Sequence, residues 1–377
     1  MRVKKAKKKR ITGWRRLNAV CLLALSLLGF GFGLQSTARA RQADALRVQT
    51  MHFRYEGLGR EAFPRLMASL LRQGTYGPFT RASQPEFPIP ALGQGYVPQG
   101  MCYAETLDAF LITSYYPEGE RPCVLSVIDA PTGNYVKSVY LLKPGGMIYN
   151  GHAGGVAAWG KHIWVTSESR AYRLTADDLR GASDESTVRF RDFFRPGTRG
   201  AFSFCADDML WVGEYYSPTL SQNMPANRYE PLTGNNAWCA GFALDTRAPQ
   251  GVKGLRGGET PAPTYLLSLP NYCQGACGNG QLYLSTSFSS IKPSWLLVFP
   301  PLKEILARQA DQTIPFGKTN VPLYILDATA AQRRLLPPMS EGIAWYNNKI
   351  YALFESAARP YRDHTELFAD YVFSLSA

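Results

Sequence analysis

A short motif recurs five times along this 377-residue chain and limits its fold more than any other feature of the sequence. Each copy has a glycine, a run of small apolar residues, a turn, and a run rich in Ile, Val, Leu, Trp and Tyr, which is typical of a β-hairpin. A motif that recurs along a chain in this way indicates an array of similar structural units. The copies begin at Gln99, Gly154, Arg199, Cys273 and Ser340, with aligned glycines Gly100, Gly155, Gly200, Gly275 and Gly342.

Further apolar runs predict the remaining strands of each unit. Every copy has a third run, and four copies have a fourth, at residues 135–142, 188–194, 264–270 and 321–327. Four antiparallel strands per unit, repeated around an axis, are the blades of a β-propeller. The sequence therefore predicts an all-β propeller of five four-stranded blades over residues 99–377, with six blades as the alternative because two intervals between glycines are long.

The fifth unit ends at Ala377 after three strands, so a segment before residue 99 is expected to supply its outermost strand. Within residues 41–98, the candidates are 47–53 and 86–91, and either one closes the ring without an exposed edge. Apolar residues at helical spacing predict one surface helix over residues 59–73. A second, shorter helix is expected over residues 302–310.

The positive charge of the chain is concentrated at its N-terminus. Residues 1–16 hold 9 of the 41 Lys and Arg residues, and 31 basic and 29 acidic residues follow residue 40. A nearly neutral body argues against nucleic acid as a partner. The basic run precedes an apolar stretch at residues 17–34 and then small residues, which is the order found in export signals.

Residues 1–40 are therefore either a cleaved signal peptide or a retained anchor. Both alternatives place the remainder of the chain outside the cytoplasm, secreted or tethered by residues 17–34. Membrane contact is expected only through this N-terminal segment.

Six cysteines follow the N-terminal segment, and an even number in an exported chain is compatible with disulfides. On one strand, Cys273 and Cys277 are about 13 Å apart at about 3.3 Å per residue, which is too far for a bridge. Cys102 and Cys277 share a repeat column with small residues. Free thiols packed between blades are therefore expected.

Two columns of residues are candidates for a binding site. The first consists of the residues before the aligned glycines and predicts a polar ring at the mouth of the central channel: Gln99, Gly154, Arg199, Gln274 and Glu341, with His152 nearby. The second lies at the ends of the second strands: Tyr115, Glu168, Tyr215, Ser287 and Glu355. Tyrosines and carboxylates can bind a sugar or a peptide by stacking and hydrogen bonding. Solvated channel lining and ordinary rim surface are the alternatives.

Signals for catalysis and metal binding are few. The sequence has no G-x-S-x-G, H-E-x-x-H, phosphate-binding loop or C-x-x-C motif. Glu341 is the only carboxylate of the first column and is the candidate ligand for calcium, which usually takes several oxygens. No other cofactor is evident. Glycosidase chemistry needs two carboxylates about 5 to 9 Å apart, for which Glu168 and Glu355 are a candidate pair.

Several phrases resemble those of a family of exported bacterial propeller-like proteins of unassigned activity, over residues 86–377. They are YVPQGMCY, YNGHAGGVA, HIWVTSES and PPMSEGIAWYNNKIYALFESAARPYR. The chain is more loosely similar to propellers of the gluconolactonase and regucalcin type, in which an E-G-x-x-W phrase begins a blade. Glu341, Gly342 and Trp345 match that phrase. The Asn and Asp metal ligands of those propellers have no identifiable counterpart here.

Two functions from different classes remain open at this point. The first is a non-catalytic binding module that presents its face to a cell-envelope glycan, peptide or protein. The second is a hydrolase or lactonase with a metal or acid site at the channel mouth, around Glu341 and His152. The sequence does not decide between an enzyme and a binding protein.

Overall fold

The computed structural model describes residues 74–220, 223–255, 259–365, 367 and 369–377. Residues 1–40, the predicted strand at 47–53 and the predicted helix at 59–73 lie outside this part of the chain. The described α-helices are short: α1 Gly77–Ala82, α2 Ala176–Arg180 and α3 Leu302–Ala307. Helix α3 confirms the prediction for residues 302–310. Among the described residues, no helix has the length and apolar character needed to cross a membrane.

Apart from three 3₁₀ turns of three residues each, the remaining regular structure of the described residues is β-sheet. The strands, in chain order, are β1 Ser83–Pro88, β2 Val97–Ala104, β3 Ala109–Tyr115, β4 Val124–Asp129, β5 Tyr135–Leu142, β6 Gly155–Trp159, β7 His162–Ser167, β8 Arg170–Thr175, β9 Thr187–Arg189, β10 Asp192–Phe194, β11 Phe202–Ala206, β12 Met209–Gly213, β13 Ala237–Ala243, β14 Tyr265–Leu269, β15 Cys273–Asn279, β16 Gln281–Thr286, β17 Ser294–Phe299, β18 Gln312–Phe316, β19 Thr319–Ile325, β20 Gln332–Leu336, β21 Ser340–Tyr346, β22 Lys349–Phe354 and β23 Tyr371–Ser376. They form five sheets.

Each sheet is one blade of a β-propeller. The innermost strands β2, β6, β11, β15 and β21 begin the five blades, and each contacts the next around a closed ring. The prediction of five blades is confirmed. The long intervals between repeat glycines contain connections and outer strands, not a sixth blade.

Strand β1 closes the ring. It pairs antiparallel with β23, from Ser83 opposite Leu375 to Pro88 opposite Tyr371. The fifth blade thus receives its outermost strand from a segment that precedes the first blade, as expected. The strand overlaps the candidate at residues 86–91 but begins three residues earlier.

Two outer strands differ from the prediction. Residues 321–327 were expected to complete the fourth blade, but β19 pairs in parallel with β14 of the third blade, and β20 completes the fourth. The run at residues 188–194 is divided, because β9 pairs in parallel with β5 of the first blade and only β10 belongs to the second. An apolar run predicts a strand but does not identify its partner. Both parallel pairings link neighbouring blades.

The hydrophobic core consists of five clusters, one between each pair of neighbouring blades. In the cluster between the fifth and first blades, Phe87 of β1 lies against Phe110 and Tyr351, with ring centroids 5.3 and 6.5 Å away. Both faces of each blade are therefore covered. This explains why the strands are apolar along most of their length rather than alternating.

Crowding at the propeller axis explains the repeated glycine. A Cβ atom on Gly275 would lie 2.7 Å from the backbone oxygen of Glu341, and one on Gly155 would overlap the backbone of Ser203. In the third blade the equivalent position is Phe202, which pairs with Gly213, and this opposing glycine makes room for the phenyl ring. The alignment on Gly200 is therefore wrong by two residues.

Phe87→Ala should destabilise the whole propeller, because it removes a buried ring from the closing strand. We expect a loss of about 3 to 5 kcal/mol in the free energy of unfolding, measured by urea denaturation. Gln84→Ala, at an exposed position of the same strand, is the matched control and should change stability little. Equal effects of the two substitutions would contradict the closing role of β1.

Candidate functional site

The five inner strands begin around a cavity at one end of the axis. Its volume is about 440 Å³. Because the second strand of each blade runs antiparallel to the first, the connections after the second strands lie at this same end. The sequence candidates that line the cavity are Gln99, His152, Tyr215, Gln274, Ser287 and Glu355. We call this cavity the mouth pocket.

A hydrogen-bonded pair of carboxyl groups lies at the mouth pocket. Glu355 follows β22, and its backbone N–H donates to the carbonyl of Met339 at 3.0 Å, which holds it beside the start of β21. Its side chain hydrogen-bonds with Glu341, which is only 2% exposed. The Nε2 atom of Gln99 donates to Oε2 of Glu355 at 3.0 Å and to the carbonyl of Pro98 at 2.9 Å.

The two carboxyl groups have raised pKa values. Burial raises the pKa of Glu341 well above its ordinary value, and the charge of Glu355 raises it further. Burial also raises the pKa of Glu355, to about 7, although hydrogen bonds with Glu341 and Gln99 act in the opposite direction. Two adjacent buried carboxylates repel each other when both are ionised. The pair therefore retains a shared proton near neutral pH, which belongs to the pair rather than to either residue.

Aromatic side chains stand beside the carboxyl pair. Two successive turns, from Ala358 N–H to Glu355 O and from Tyr361 N–H to Ala358 O, bring Tyr361 back over the mouth pocket. Its hydroxyl lies 3.4 Å from that of Tyr115, whose ring is 4.4 Å from the imidazole of His152 between centroids. Burial raises the pKa of both tyrosines and lowers that of His152. All three groups are therefore neutral near pH 7.

Two sequence candidates lie elsewhere. Correcting the alignment by two residues puts Ala201 in the polar ring in place of Arg199, whose Nη2 donates to the carbonyl of Asn223 at 2.9 Å. Glu168 is exposed on the turn between β7 and β8 and does not line the mouth pocket. The pair of Glu168 and Glu355 considered for glycosidase chemistry is therefore not formed. Glu341 and Glu355 are hydrogen-bonded, closer than the separation of about 5 Å that such enzymes use.

The mouth pocket is also lined by residues that the sequence did not predict, among them Tyr361, Phe288 and Met339. Tyr361 and Met339 lie in connections outside the repeat, where no column aligns them. Phe288 lies inside the fourth copy but one residue after the second column, at Ser287. The sequence signal for Tyr361 was the presence of a tyrosine in the long segment between β22 and β23. The two turns that direct its side chain toward the pocket are visible only in the structure.

The described residues include no group of three or more His, Cys, Asp or Glu side chains arranged to hold a metal ion. Glu341, the candidate for calcium, has Glu355 as its carboxyl neighbour, and Gln99 and Gln274 add amide groups nearby. A cation at this position would have to displace the shared proton.

Thiols surround the opposite end of the axis. Cys102, Cys205 and Cys277 line a cavity of about 430 Å³ there, and all six described cysteines are free, as expected. Burial raises the pKa of Cys102 and Cys277, which keeps both protonated and unreactive.

These features define a five-bladed β-propeller with a polar and aromatic pocket at one end of its axis. No protein-family model matches the sequence, and no curated protein matches it significantly.

Among solved structures, a Myxococcus xanthus glutaminyl cyclase is 12% identical, with 72% of this chain and 89% of that chain covered and a TM-score of 0.37. A PQQ-bound aldose sugar dehydrogenase from Streptomyces coelicolor is 14% identical, with coverages of 78% and 97% and a TM-score of 0.39. PorZ of the Porphyromonas gingivalis type-IX secretion system is 12% identical, with coverages of 67% and 29% and a TM-score of 0.30. Similarities this weak do not bear on the function of the present chain.

The raised pKa values predict how stability depends on pH. Between the unfolded pKa, near 4.5, and the folded pKa of Glu355, about 7, the unfolded chain releases protons that the folded chain retains. Stability should therefore fall as pH rises through this window. Glu355→Gln, which stays neutral, should reduce this fall by on the order of 1–3 kcal/mol between pH 5 and 8 in urea denaturation.

The control for this measurement is Glu168→Gln, which removes an exposed carboxylate. This variant should follow the parent protein across the same pH range. If Glu355→Gln also follows the parent, the pair does not share a proton in the way described.

Proposed function

We propose that the mouth pocket binds a neutral polyhydroxylated ligand, a sugar unit of a cell-envelope glycan. The observation that carries this proposal is the hydrogen-bonded pair of carboxyl groups, buried Glu341 and Glu355, at the mouth pocket. Half-protonated, the pair both donates and accepts hydrogen bonds, and every sugar hydroxyl also does both. The amide of Gln274 and the hydroxyl of Tyr361 add further donors and acceptors around the same cavity.

The shape of the mouth pocket supports a sugar over a peptide or protein surface. Its volume of about 440 Å³ lies within the range of small-molecule sites. The rings of Tyr215 and Tyr361 in its wall suit the apolar face of a pyranose. An anionic ligand is disfavoured, because the carboxyl pair is buried and carries negative charge once it has lost its first proton.

We further propose that the protein acts outside the cytoplasm, with residues 1–40 as a signal peptide or an anchor. An envelope glycan is then within reach of the mouth pocket. N-terminal sequencing of the protein recovered from the cell envelope distinguishes cleavage from retention. If the chain after residue 40 were protected from protease inside intact cells, the proposal would be contradicted.

Binding of glucose, N-acetylglucosamine and their disaccharides, measured by calorimetry, tests the proposed function. Glu355→Gln keeps the shape but not the shared proton, and should weaken binding about tenfold, the size of one hydrogen bond to a charged group. Glu168→Gln is the control and should bind as the parent does. The titrations are repeated with a chelator and, separately, with added calcium. If sugar binding requires calcium, Glu341 is supported as a metal ligand. Binding of peptides but of no sugar would contradict the proposal.

A second candidate function is hydrolysis of an ester or lactone, favoured by the pKa of Glu355, about 7, at the mouth pocket. The Glu355 carboxylate would take a proton from water, the hydroxide oxygen would bond to the carbonyl carbon, and the ester C–O bond would break. The leaving oxygen would then receive the proton from Glu355, giving a hydroxyl and a carboxylic acid.

Incubation with glucono-lactone, followed by pH-stat titration, tests this second function. We expect Glu355→Gln to lower the rate by about 10²- to 10⁴-fold, the usual contribution of a general base. Glu168→Gln should retain the parent rate. A parent rate no higher than the uncatalysed rate would leave binding without hydrolysis as the function.

A further inference from the structure

Exposed apolar side chains are concentrated on the face that carries the mouth pocket. The connections after β12 and β16 contribute Leu220, Tyr229, Leu232, Phe288 and Ile291, five of the eight large apolar residues exposed in the described part of the chain. Both connections lie on neighbouring blades, because β11 and β15 are adjacent in the ring. Leu220 is 73% exposed, Ile291 60% and Phe288 39%. Apolar exposure grouped in this way marks a contact surface.

Part of this surface continues directly from the mouth pocket. Leu220 and Phe288 line the same cavity as Glu355, and Ile291 follows Phe288 by three residues. We call Leu220, Phe288 and Ile291 the apolar lip. A series of rings leads from the pocket to the lip: Tyr215 lies 6.5 Å from Tyr272, which lies 4.7 Å from Phe288. The site therefore changes from polar at Glu355 to apolar at its rim.

The lip has the composition of a surface for an aliphatic chain. Sugars stack on aromatic rings, but two of the three lip residues are the aliphatic Leu220 and Ile291. The ring of Phe288 has Tyr272 beside it and the ammonium group of Lys292 5.4 Å from its centroid, so its faces are already partly occupied. A longer glycan would therefore find few stacking surfaces there, whereas a hydrocarbon tail would cover all three side chains.

We propose that the ligand of the mouth pocket is amphipathic, with a sugar head in the pocket and an aliphatic tail on the apolar lip. The ligand class is a glycolipid or an alkyl glycoside. This inference rests on the proposed function, because it places the head at Glu355 and Gln99. It adds a second subsite that the sugar alone does not use.

Affinity as a function of tail length tests the inference. Methyl, butyl, hexyl and octyl glucosides, all below their micelle concentrations, are titrated into the parent protein by calorimetry. Each buried methylene should raise the affinity up to about fourfold, until the lip is covered. Phe288→Ser and Ile291→Ser should each lower the ratio of octyl to methyl affinity about tenfold. Ile291→Ser, which lies outside the pocket lining, should also leave methyl glucoside binding unchanged. Leu232→Ser replaces an apolar residue that is 88% exposed on the same face and does not line the pocket, and it should leave the ratio as in the parent.

The outcomes separate this inference from the proposed function. Glucoside affinity that does not depend on tail length would overturn the lip and leave the sugar pocket intact. Binding of long-chain glucosides that is unaffected by Glu355→Gln, together with no binding of methyl glucoside, would overturn the sugar pocket and with it the inference. An equal loss in Leu232→Ser would also overturn it. If the lip variants instead lose binding to phosphatidylcholine vesicles without any dependence on tail length, the lip is a membrane contact and the inference is wrong.

Discussion

Close approach of the five inner strands at the propeller axis is the constraint on which the rest of the structure depends. Where two backbones come within van der Waals distance, a Cβ atom does not fit, as at Gly155 and Gly275. The third blade solves the same problem differently, with Phe202 on the inner strand and Gly213 opposite. The requirement is thus for space at one level of the axis, and a glycine on either strand of the hairpin can provide it.

This crowding also determines where polar chemistry is possible. At the level of the repeat glycines the strands leave no room for side chains, and the blades are joined by apolar clusters. The polar groups of the mouth pocket lie just beyond that level, where the strands begin. Glu341, one residue before the crowded glycine, is buried there beside Glu355. Burying an ionised carboxylate costs stability. This cost is smaller here because the two groups share a proton. A pair of this kind is more easily understood as part of a binding or proton-transfer site than as a stabilising contact.

The blades are not independent units stacked around an axis. The parallel pairings of β9 with β5 and of β19 with β14 fasten the second blade to the first and the fourth to the third, and β1 fastens the fifth blade to the chain that precedes the first. On this frame of linked blades, loop residues such as Tyr361 and Phe288 define the mouth pocket.

The sequence by itself favoured five blades over six and predicted the β-hairpins, the need for a closing strand and the position of the mouth, because the repeat glycine and the apolar runs are local consequences of axial crowding and blade packing. It also placed Gln99, Gln274, Glu341 and Glu355 in columns that the fold brings to one end. The structure selected β1 over the other candidate for the closing strand. Only the tertiary structure decided which blade β19 and β9 join, since an apolar run is compatible with several partners. It also replaced Arg199 with Ala201, because hairpin register depends on the opposite strand. The pairing of Glu341 with Glu355 and the inward turn of Tyr361 likewise depend on contacts between segments that are remote in sequence or irregular in conformation, and no local pattern encodes them.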